Sequence, residues 1–159
     1  MHGIAYGLAI DISTACDIRL CTRDVRFSVK EVDIGVAADI GTLTRLPKVV
    51  GNHSWVKEVC YTARDFGADE AWRVGFVSDV AESKEEGMKM ALDMCKTIAE
   101  KSPVAVMGTK EILNYSKDHS TEDGLRYTAI WNAGMLQTAD IKSAMLSGLQ
   151  KRKPKFAKL

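Results

Sequence analysis

The sequence predicts an α/β fold in which an incomplete β-core is followed by a helical C-terminal region. Apolar and polar side chains alternate over residues 25–29, which is typical of a half-buried strand. From residue 83 onward the apolar residues recur at helical spacing instead. The chain has 159 residues and is 46% hydrophobic, so it can form a core of ordinary size. We therefore divide it into a core, residues 1–82, and a helical region, residues 83–159.

The predicted strands are few and the predicted helices are many. Strands are expected over 17–22, 25–29 and 76–80, and helices over 9–16, 40–51, 52–63, 67–75, 83–101, 121–136 and 139–151, with one more opening at Ser102-Pro103. Asn52 or Ser54 is the expected cap of the helix over 52–63, and Pro47 is expected to kink or divide the helix before it. Glycines punctuate residues 3–8, which allows the backbone to approach a ligand or another chain closely. So few strands leave an apolar sheet unfinished, because a sheet needs further strands or another layer to cover it.

Composition excludes several classes of function. The 22 basic and 21 acidic residues give a net charge of +1, so no basic field exists for binding nucleic acid. No apolar run approaches the ~20 residues that span a bilayer. The cysteines form no C-x-x-C pair, and no histidine lies at zinc-finger spacing from them, so no metal site is predicted and we expect buried, reduced thiols. These cysteines are Cys16, Cys21, Cys60 and Cys95.

Four carboxylates stand among small and apolar residues. Glu31, Asp33 and Asp39 fall within KEVDIGVAADIG, residues 30–41, and Asp11 lies in the predicted short helix AIDISTAC. Carboxylates in apolar surroundings are costly unless they are paired or needed for chemistry. The ends of strands and helices can meet at one cleft. Two carboxylates there could move protons between carbons, one taking and one giving.

Each acid also has a structural explanation. Asp39 could cap the helix that follows it, Asp11 could be a hydrogen-bonded helix acid, and Glu31 could be a surface residue at a strand end. Asp33 shares the face of Glu31 if the strand extends that far, and we assign it a structural role. The residues alone leave these alternatives open.

Longer stretches of the chain resemble the enoyl-CoA hydratase/isomerase (crotonase) family. They are HGIAYGLAIDISTACDIRLC, FSVKEVDIGVAADIGTLTRLPKVVGN and TARDFGADEAWRVGFVSDV, and KSPVAVMGTK and WNAGMLQTADI continue the likeness over nearly the whole chain. They look most like the delta(3,5)-delta(2,4)-dienoyl-CoA isomerase branch of that family. The resemblance implies a crotonase-like (ClpP/crotonase) fold. It also implies a reaction of fatty-acid β-oxidation that converts a 3,5-dienoyl-CoA thioester into the 2,4-dienoyl isomer.

The resemblance implies roles for individual residues. Asp39 would remove the proton from C2 of the substrate, Glu31 would deliver one to C6, and Asp11 would tune or orient that pair. The Leu8 N–H, in the turn that begins with Gly7, would be one donor of an oxyanion hole for the thioester oxygen. Family members more often have a run of three glycines in this turn, so the Leu8 side chain must point away from the site. Hydratases of the family carry Glu at the positions of Asp11 and Glu31 and Gly at the position of Asp39, which favours isomerisation over hydration here.

Partners and location follow from the same resemblance. The substrate would be a fatty acyl-CoA, and proton transfer between carbons requires no metal and no redox cofactor. Family members form trimers and hexamers, so we expect a homo-oligomer in which residues 83–159 mediate assembly or cover the site. The chain ends in Ala157-Lys158-Leu159, one substitution from the Ser-Lys-Leu address that a peroxisomal import receptor reads. We therefore expect the peroxisome, with the mitochondrion as the alternative.

Length and reaction type leave alternatives open. Family members carry a substantial segment before the glycine turn, so this chain resembles the C-terminal part of the fold. We expect it to have weak or no activity alone. The competing functions are hydration or a single double-bond shift, and a non-catalytic helical module that associates with partner subunits. Asp39→Asn would separate isomerisation from hydration, whereas assembly without thioester binding would identify the module.

Overall fold

The computed structural model describes residues 1–157, which form five short strands, eight α-helices and one 3₁₀ helix. The strands are β1 (Ile4–Tyr6), β2 (Leu20–Thr22), β3 (Arg26–Ser28), β4 (Phe66–Gly67) and β5 (Asp79–Ala81). The α-helices are α1 (Leu8–Ala15), α2 (Thr42–Val49), α3 (His53–Thr62), α4 (Ala68–Arg73), α5 (Lys84–Ala99), α6 (Pro103–Ser116), α7 (Thr121–Met135) and α8 (Ala139–Leu149). The 3₁₀ helix is Glu31–Ile34. Within residues 1–157, every helix is too short or too polar to cross a bilayer.

The chain forms two compact units, Met1–Leu92 and Asp93–Leu159. The strands belong to the first unit and form two small sheets. Strand β1 lies parallel to β3, with Ala5 opposite Phe27, and β4 extends this sheet antiparallel to β3. Strands β2 and β5 form a separate parallel pair. Sheets of two and three short strands confirm the incomplete β-core that the sequence predicts.

An aromatic cluster forms the centre of the first unit. The fully buried ring of Phe27, on β3, stacks on Phe66 with centroids 5.1 Å apart and meets Phe76 edge to face at 5.3 Å. The Trp55 ring packs edge to face on Phe66 at 5.0 Å. Aromatic pairs in these geometries stabilise a core by about 0.5–1.5 kcal/mol beyond the area they bury. The cluster therefore anchors β3, from whose C-terminal end the chain continues into the 3₁₀ helix.

Helix signals in the sequence are largely confirmed. The side chain of Asn52 caps α3 by accepting a hydrogen bond from the Trp55 N–H at 3.1 Å. Ser102 caps α6 in the same way through the Ala105 N–H, and Pro103 occupies the first turn. The predicted helices over 9–16, 52–63, 67–75, 83–101, 121–136 and 139–151 correspond to α1, α3, α4, α5, α7 and α8.

The strand predictions need correction in length and number. Strands β2 and β3 are shorter than the predicted 17–22 and 25–29, and β5 overlaps only the end of the predicted 76–80. Two strands were not predicted: β1 lies in the glycine-punctuated stretch 3–8, and β4 has only two residues. Segments this short carry too little alternation to identify, because pairing with β3 rather than local preference makes them strands.

Glu31 does not end a strand, contrary to the prediction. The ladder stops at Ser28, whose carbonyl accepts a hydrogen bond from the Gly7 N–H at 3.0 Å. The chain then turns into the 3₁₀ helix, which ends at Gly35 in the left-handed conformation with φ 80°. Glu31 and Asp33 therefore do not share the face of a strand.

Helix α2 differs from its prediction at its N-cap and at Pro47. Gly41 occupies its N-cap position, so Asp39 does not cap this helix. Pro47 lies inside α2 without dividing it, and the Val50 N–H still donates to the Leu46 carbonyl at 2.9 Å. A proline removes one N–H donor, and the bonding resumes after it.

Thiol burial also departs from the prediction in part. Cys21 and Cys60 are buried, whereas Cys16 and Cys95 are exposed, and all four are free. Burial raises the pKa of the Cys21 thiol to about 11 and also raises the pKa of Cys60. The expectation of buried thiols is therefore wrong for Cys16 and Cys95.

The second unit consists of helices held by local contacts. The Trp131 indole of α7 lies against Gly108 of α6, where a Cβ atom would come within 2.6 Å of the indole nitrogen. Tyr115 and Tyr127 stack with centroids 4.1 Å apart, and the Tyr127 hydroxyl donates to Glu111 at 3.0 Å. The α6–α7 pair is thus fitted through a small residue and stacked rings.

Candidate active site

The turn into α1 brings the Leu8 N–H to the start of the helix. Gly7 has φ 52° and ψ −115°, a conformation that a residue with a side chain rarely adopts, and its carbonyl accepts from the Ile10 N–H at 2.7 Å. Leu8 is the first residue of α1, where N–H groups have no acceptor within the helix and the helix dipole is positive. The Leu8 side chain is 53% exposed. The Leu8 N–H therefore lies where an oxyanion could be stabilised.

The Glu31 carboxylate lies directly against this turn. A Cβ atom placed on Gly7 would come within 3.2 Å of Glu31 Oε1, so only glycine leaves the carboxylate its present room. The other oxygen, Oε2, is buried and has no hydrogen-bond partner among the described residues. Buried acceptors in folded proteins are nearly always bonded, so an open one is a feature expected of a functional group.

Asp11 is buried and cross-links two helices. Its side chain is 2% exposed, and Oδ1 accepts from both the backbone N–H of Thr42 at 2.7 Å and the Thr42 hydroxyl at 2.8 Å. Thr42 is the first residue of α2 and is fully buried. Asp11 thereby fixes the start of α2 against α1, and a carboxylate with two such donors is held in one orientation.

Asp39 lies in the segment between the 3₁₀ helix and α2, and it is exposed. The Nη2 atom of Arg45 donates to the carbonyls of both Ile40 and Asp11, at 3.0 Å each. The backbone next to Asp39 and the backbone of α1 at Asp11 therefore lie on either side of one guanidinium group. Gly41, with φ 126°, leaves the space that the Arg45 Nη1 atom occupies.

Four of the five residues that the sequence singles out thus lie on α1 or against its start. Glu31 contacts Gly7 at the start of α1, which also carries Leu8, and Asp11 contacts the start of α2. Asp39 is exposed, and it is its neighbour Ile40 whose carbonyl accepts from the Arg45 guanidinium.

Sequence reasoning missed two residues of this arrangement, Thr42 and Arg45. Both stand in the quoted block ADIGTLTRLPK, directly after Asp39. A threonine at the first position of a helix and an arginine one turn later are common surface residues. Nothing in their spacing indicated contacts with residue 11.

Several apolar side chains close in sequence to these acids are exposed. Two lie on α1, two on or just after the 3₁₀ helix, and two around the start of α2. They are Leu8, Ile12, Ile34, Val36, Ile40 and Leu43. Exposed apolar groups beside carboxylates suit a ligand that combines an apolar body with an acidic C–H group.

A second polar cluster lies on the sheet. The Tyr6 hydroxyl donates to Asp65 at 2.7 Å, the Arg26 guanidinium donates to the same carboxylate at 2.5 Å, and the Lys30 ammonium lies 3.4 Å from it. These donors hold the pKa of Asp65 at about 2. The cluster is an ion-pair network with all its members paired, so we assign it a structural role. No group of three or more His, Cys, Asp or Glu residues that could hold a metal ion occurs in the described part of the chain.

Known proteins are similar to this chain in sequence. The family described as enoyl-CoA hydratase/isomerase matches residues 1–158. The chain is 48% identical over 162 residues to the mitochondrial delta(3,5)-delta(2,4)-dienoyl-CoA isomerase of Mus musculus, covering 100% of this chain and 50% of that protein. It is 46% identical over 159 residues to the peroxisomal delta(3,5)-delta(2,4)-dienoyl-CoA isomerase of Arabidopsis thaliana, covering 100% and 57%. A short-chain-enoyl-CoA hydratase of Clostridium acetobutylicum is 32% identical over 153 residues, with 96% and 58% covered. The chain spans about half the length of the curated relatives it matches.

Solved structures share the fold. The enoyl-CoA hydratase of Bacillus anthracis superposes with a TM-score of 0.92 at 27% identity, covering 97% of this chain and 59% of that one. The enoyl-CoA hydratase of Mycobacterium marinum gives a TM-score of 0.91 at 25% identity, covering 98% and 63%. The predicted crotonase-like fold is therefore confirmed. The family match over residues 1–158, together with this fold, shows that the chain belongs to the enoyl-CoA hydratase/isomerase family.

Proposed function

We propose that the chain carries the acid–base residues of a delta(3,5)-delta(2,4)-dienoyl-CoA isomerase of fatty-acid β-oxidation. The observation that carries this proposal is the Glu31 carboxylate, held against the Gly7-Leu8 turn with one buried oxygen unbonded. A carboxylate beside a helix N-terminus supports the proposal, because enolate chemistry requires a proton-transfer group next to a donor that stabilises negative charge. The names of the relatives from Mus musculus and Arabidopsis thaliana support the choice of reaction.

The proposed reaction moves one proton out and one proton in. Asp39 removes the proton from C2 of a 3,5-dienoyl-CoA, and the electron pair forms the C2–C3 double bond as the conjugated system shifts. A second double bond then forms between C4 and C5, and Glu31, initially protonated, delivers a proton to C6. Asp39 ends protonated and Glu31 ionised, and exchange with water resets both. No metal or redox cofactor takes part in these steps.

The Leu8 N–H and the Asp11 carboxylate complete the proposal. The Leu8 N–H would donate to the thioester oxygen as negative charge develops there, and one such donor is worth about 3 kcal/mol. Asp11 does not transfer a proton in this scheme, because its Oδ1 is committed to the two donors of Thr42. Its role is to orient the segment that carries Asp39.

The proposed partners and location follow the relatives. The substrate is a fatty acyl-CoA, and we propose a homo-oligomer, a trimer or hexamer. The names of the relatives include both a peroxisomal and a mitochondrial isomerase. We propose the peroxisome, through capture of Ala157-Lys158-Leu159 by the import receptor, with the mitochondrion as the alternative. Lys158 and Leu159 lie outside the residues that the structure describes.

A direct assay tests the proposed reaction. The purified 159-residue chain is given a 3,5-dienoyl-CoA, and formation of the conjugated 2,4-dienoyl thioester is followed by its ultraviolet absorbance. We expect turnover below that of a full-length relative assayed in parallel. Asp39→Asn and Glu31→Gln should each lower the rate at least 100-fold, because positioned acid–base groups contribute 10²–10⁴-fold. Asp33→Asn is the matched control, because Asp33 is exposed and paired with Lys30 at 3.6 Å, and it should keep the rate within twofold.

Hydration of a 2-enoyl-CoA is the second candidate, since a hydratase of Clostridium acetobutylicum is 32% identical to the chain. The same preparation is therefore assayed for water addition. Hydration faster than isomerisation, or an Asp39→Asn variant with an unchanged isomerisation rate, would contradict the proposal. A folded chain that neither turns over nor binds the dienoyl thioester would also contradict it.

A further inference from the structure

We infer that Arg45 is a positioning residue that sets the placement of Asp39, an inference that rests on the proposed function. Arg45 reaches back from α2 across the segment that carries Asp39. It contacts neither a carboxylate nor the proposed reacting atoms in its described hydrogen bonds, which go to the Ile40 carbonyl, the Asp11 carbonyl and the Thr14 hydroxyl. Its contribution is therefore geometric.

The guanidinium group donates to two backbone carbonyls and one side-chain hydroxyl at once. Nη2 donates to the carbonyls of Asp11 and Ile40, and Nε donates to the Thr14 hydroxyl at 3.2 Å. Nη1 fills the space beside Gly41 that any Cβ atom would claim. A planar fork of fixed donors suits this task, whereas a lysine ammonium is a single point that can serve only part of it.

The segment that Arg45 holds is also anchored in the core by the buried side chain of Ala38, directly before Asp39. Residues 36–41 belong to no helix or strand, and Asp39 and Ile40 are both exposed. On the C-terminal side the chain is fixed at Thr42 by Asp11. Arg45 adds a hydrogen bond at Ile40, the residue next to Asp39. A proton-abstracting carboxylate must be placed closely, because a displacement of about 1 Å can cost 10²-fold in rate.

The glycine at position 41 is part of the same device. With φ 126°, it adopts a conformation that other residues rarely reach, and it lies directly before Thr42. The left-handed turn brings the Ile40 carbonyl to the guanidinium while the missing side chain admits Nη1. Arg45 and Gly41 therefore form one fitted pair rather than two independent features.

The test compares Arg45→Met and Arg45→Lys with the wild-type chain and with Arg126→Met, a matched control at an exposed position of α7. Steady-state kinetics on a 3,5-dienoyl-CoA give kcat and KM. Nuclear magnetic resonance gives the hydrogen exchange rate of the buried Thr42 amide. We expect Arg45→Met to lower kcat at least 10-fold with KM within twofold, and to speed Thr42 exchange at least 10-fold. Arg45→Lys should recover part of kcat, and Arg126→Met should change neither quantity.

The outcomes separate this inference from the proposed function. If the wild-type chain neither turns over nor binds the dienoyl thioester but Arg45→Met still speeds Thr42 exchange, the proposed function fails while the structural clamp stands. Unchanged Thr42 exchange in Arg45→Met overturns the clamp whatever the kinetics show. Faster exchange with unchanged kcat in an active chain overturns the positioning role. A rise in KM as large as the fall in kcat would also overturn it, because that pattern indicates general loss of substrate binding.

Discussion

The two units of the molecule differ in how their residues are held. In the first unit, Met1–Leu92, buried apolar side chains run from Ala5 to Ala81 and surround the aromatic cluster. In the described part of the second unit, residues 93–157, the buried residues are Gly108, Gly124 and Ser147. Many of its large apolar side chains are exposed. They include Met107, Leu113, Leu125, Ile130, Met145 and Leu149.

This difference shows which kind of contact stabilises each unit. The first unit is organised by burial, so its candidate site rests on a packed support. The helices of the second unit are defined mainly by local and polar contacts, such as the cap of Ser120 on the Asp123 N–H and the hydrogen bond from Ser102 to Asp140. Apolar stripes that remain exposed, as on α5, show that helical periodicity alone does not determine what a helix covers.

The largest effect should come from a matched pair of leucines. Leu46 on α2 is fully buried and Leu125 on α7 is 67% exposed. Leu46→Ala should lower the free energy of unfolding by about 2–5 kcal/mol, because it leaves a cavity in the core. Leu125→Ala should change it by less than about 0.5 kcal/mol. Urea unfolding followed by circular dichroism measures both. Equal losses in the free energy of unfolding for the two variants would contradict the difference in burial between the two units.

A smaller loss of stability should follow from removing the hydrogen bonds that the Glu70 carboxylate accepts. Its carboxylate accepts from the Trp55 indole at 2.7 Å and from two nitrogens of Arg64 at 2.6 and 3.1 Å. Glu70→Ala should cost about 1–3 kcal/mol, because the buried Trp55 indole loses its hydrogen-bond acceptor. Glu70→Gln keeps an oxygen for Trp55 and should cost less. Urea midpoints that rank these variants in the opposite order would contradict this explanation, because they would show that the hydrogen bond to Trp55 does not stabilise the fold.

A still smaller effect should depend on pH through Asp65. Its folded pKa of about 2 lies below the usual value near 4, so the fold binds this proton more weakly than the unfolded chain does. The resulting stabilisation is present above about pH 4 and is lost as the pH falls toward 2. The urea midpoint of the wild-type chain should therefore fall more steeply between pH 5 and 2.5 than that of Asp65→Asn. Asp33→Asn is the control and should follow the wild type. Parallel curves for the wild type and Asp65→Asn would contradict the assignment.

The smallest expected effect is on stability when the reactive thiols are counted by chemical labelling, because labelling of exposed cysteines leaves the fold intact. Cys16, in the first unit, and Cys95, in the second, are exposed, whereas Cys21 and Cys60 are buried with raised pKa values. A thiol reagent at pH 8 should therefore modify two cysteines quickly and two slowly in the folded chain, and all four quickly in urea. Cys16→Ser and Cys95→Ser should each remove one fast thiol. Three or four fast thiols in the folded chain would show that the core of the first unit opens readily.

Much of the local structure could be predicted, and the failures have a common cause. Caps such as Asn52 and Ser102 act within three residues, so the sequence displays both partners together. Strand β1 forms because it pairs with a strand about twenty residues away, and its own three residues do not show this. Glu31 was expected on a strand because the apolar alternation before it is clear, but Gly7 takes the last carbonyl of the ladder.

The sequence by itself determined the family, the helices with their caps, the small number of strands and the identity of the acids. Only the tertiary structure decided that Asp11 is bonded to Thr42, that the Glu31 carboxylate lies on Gly7, and that Arg45 spans α1 and the Asp39 segment. The contacts of Asp11 with Thr42, of Glu31 with Gly7 and of Arg45 with Asp11 join residues between 24 and 34 positions apart. Local spacing cannot encode such contacts, because they exist only once the packed core has brought α1, the 3₁₀ helix and α2 together.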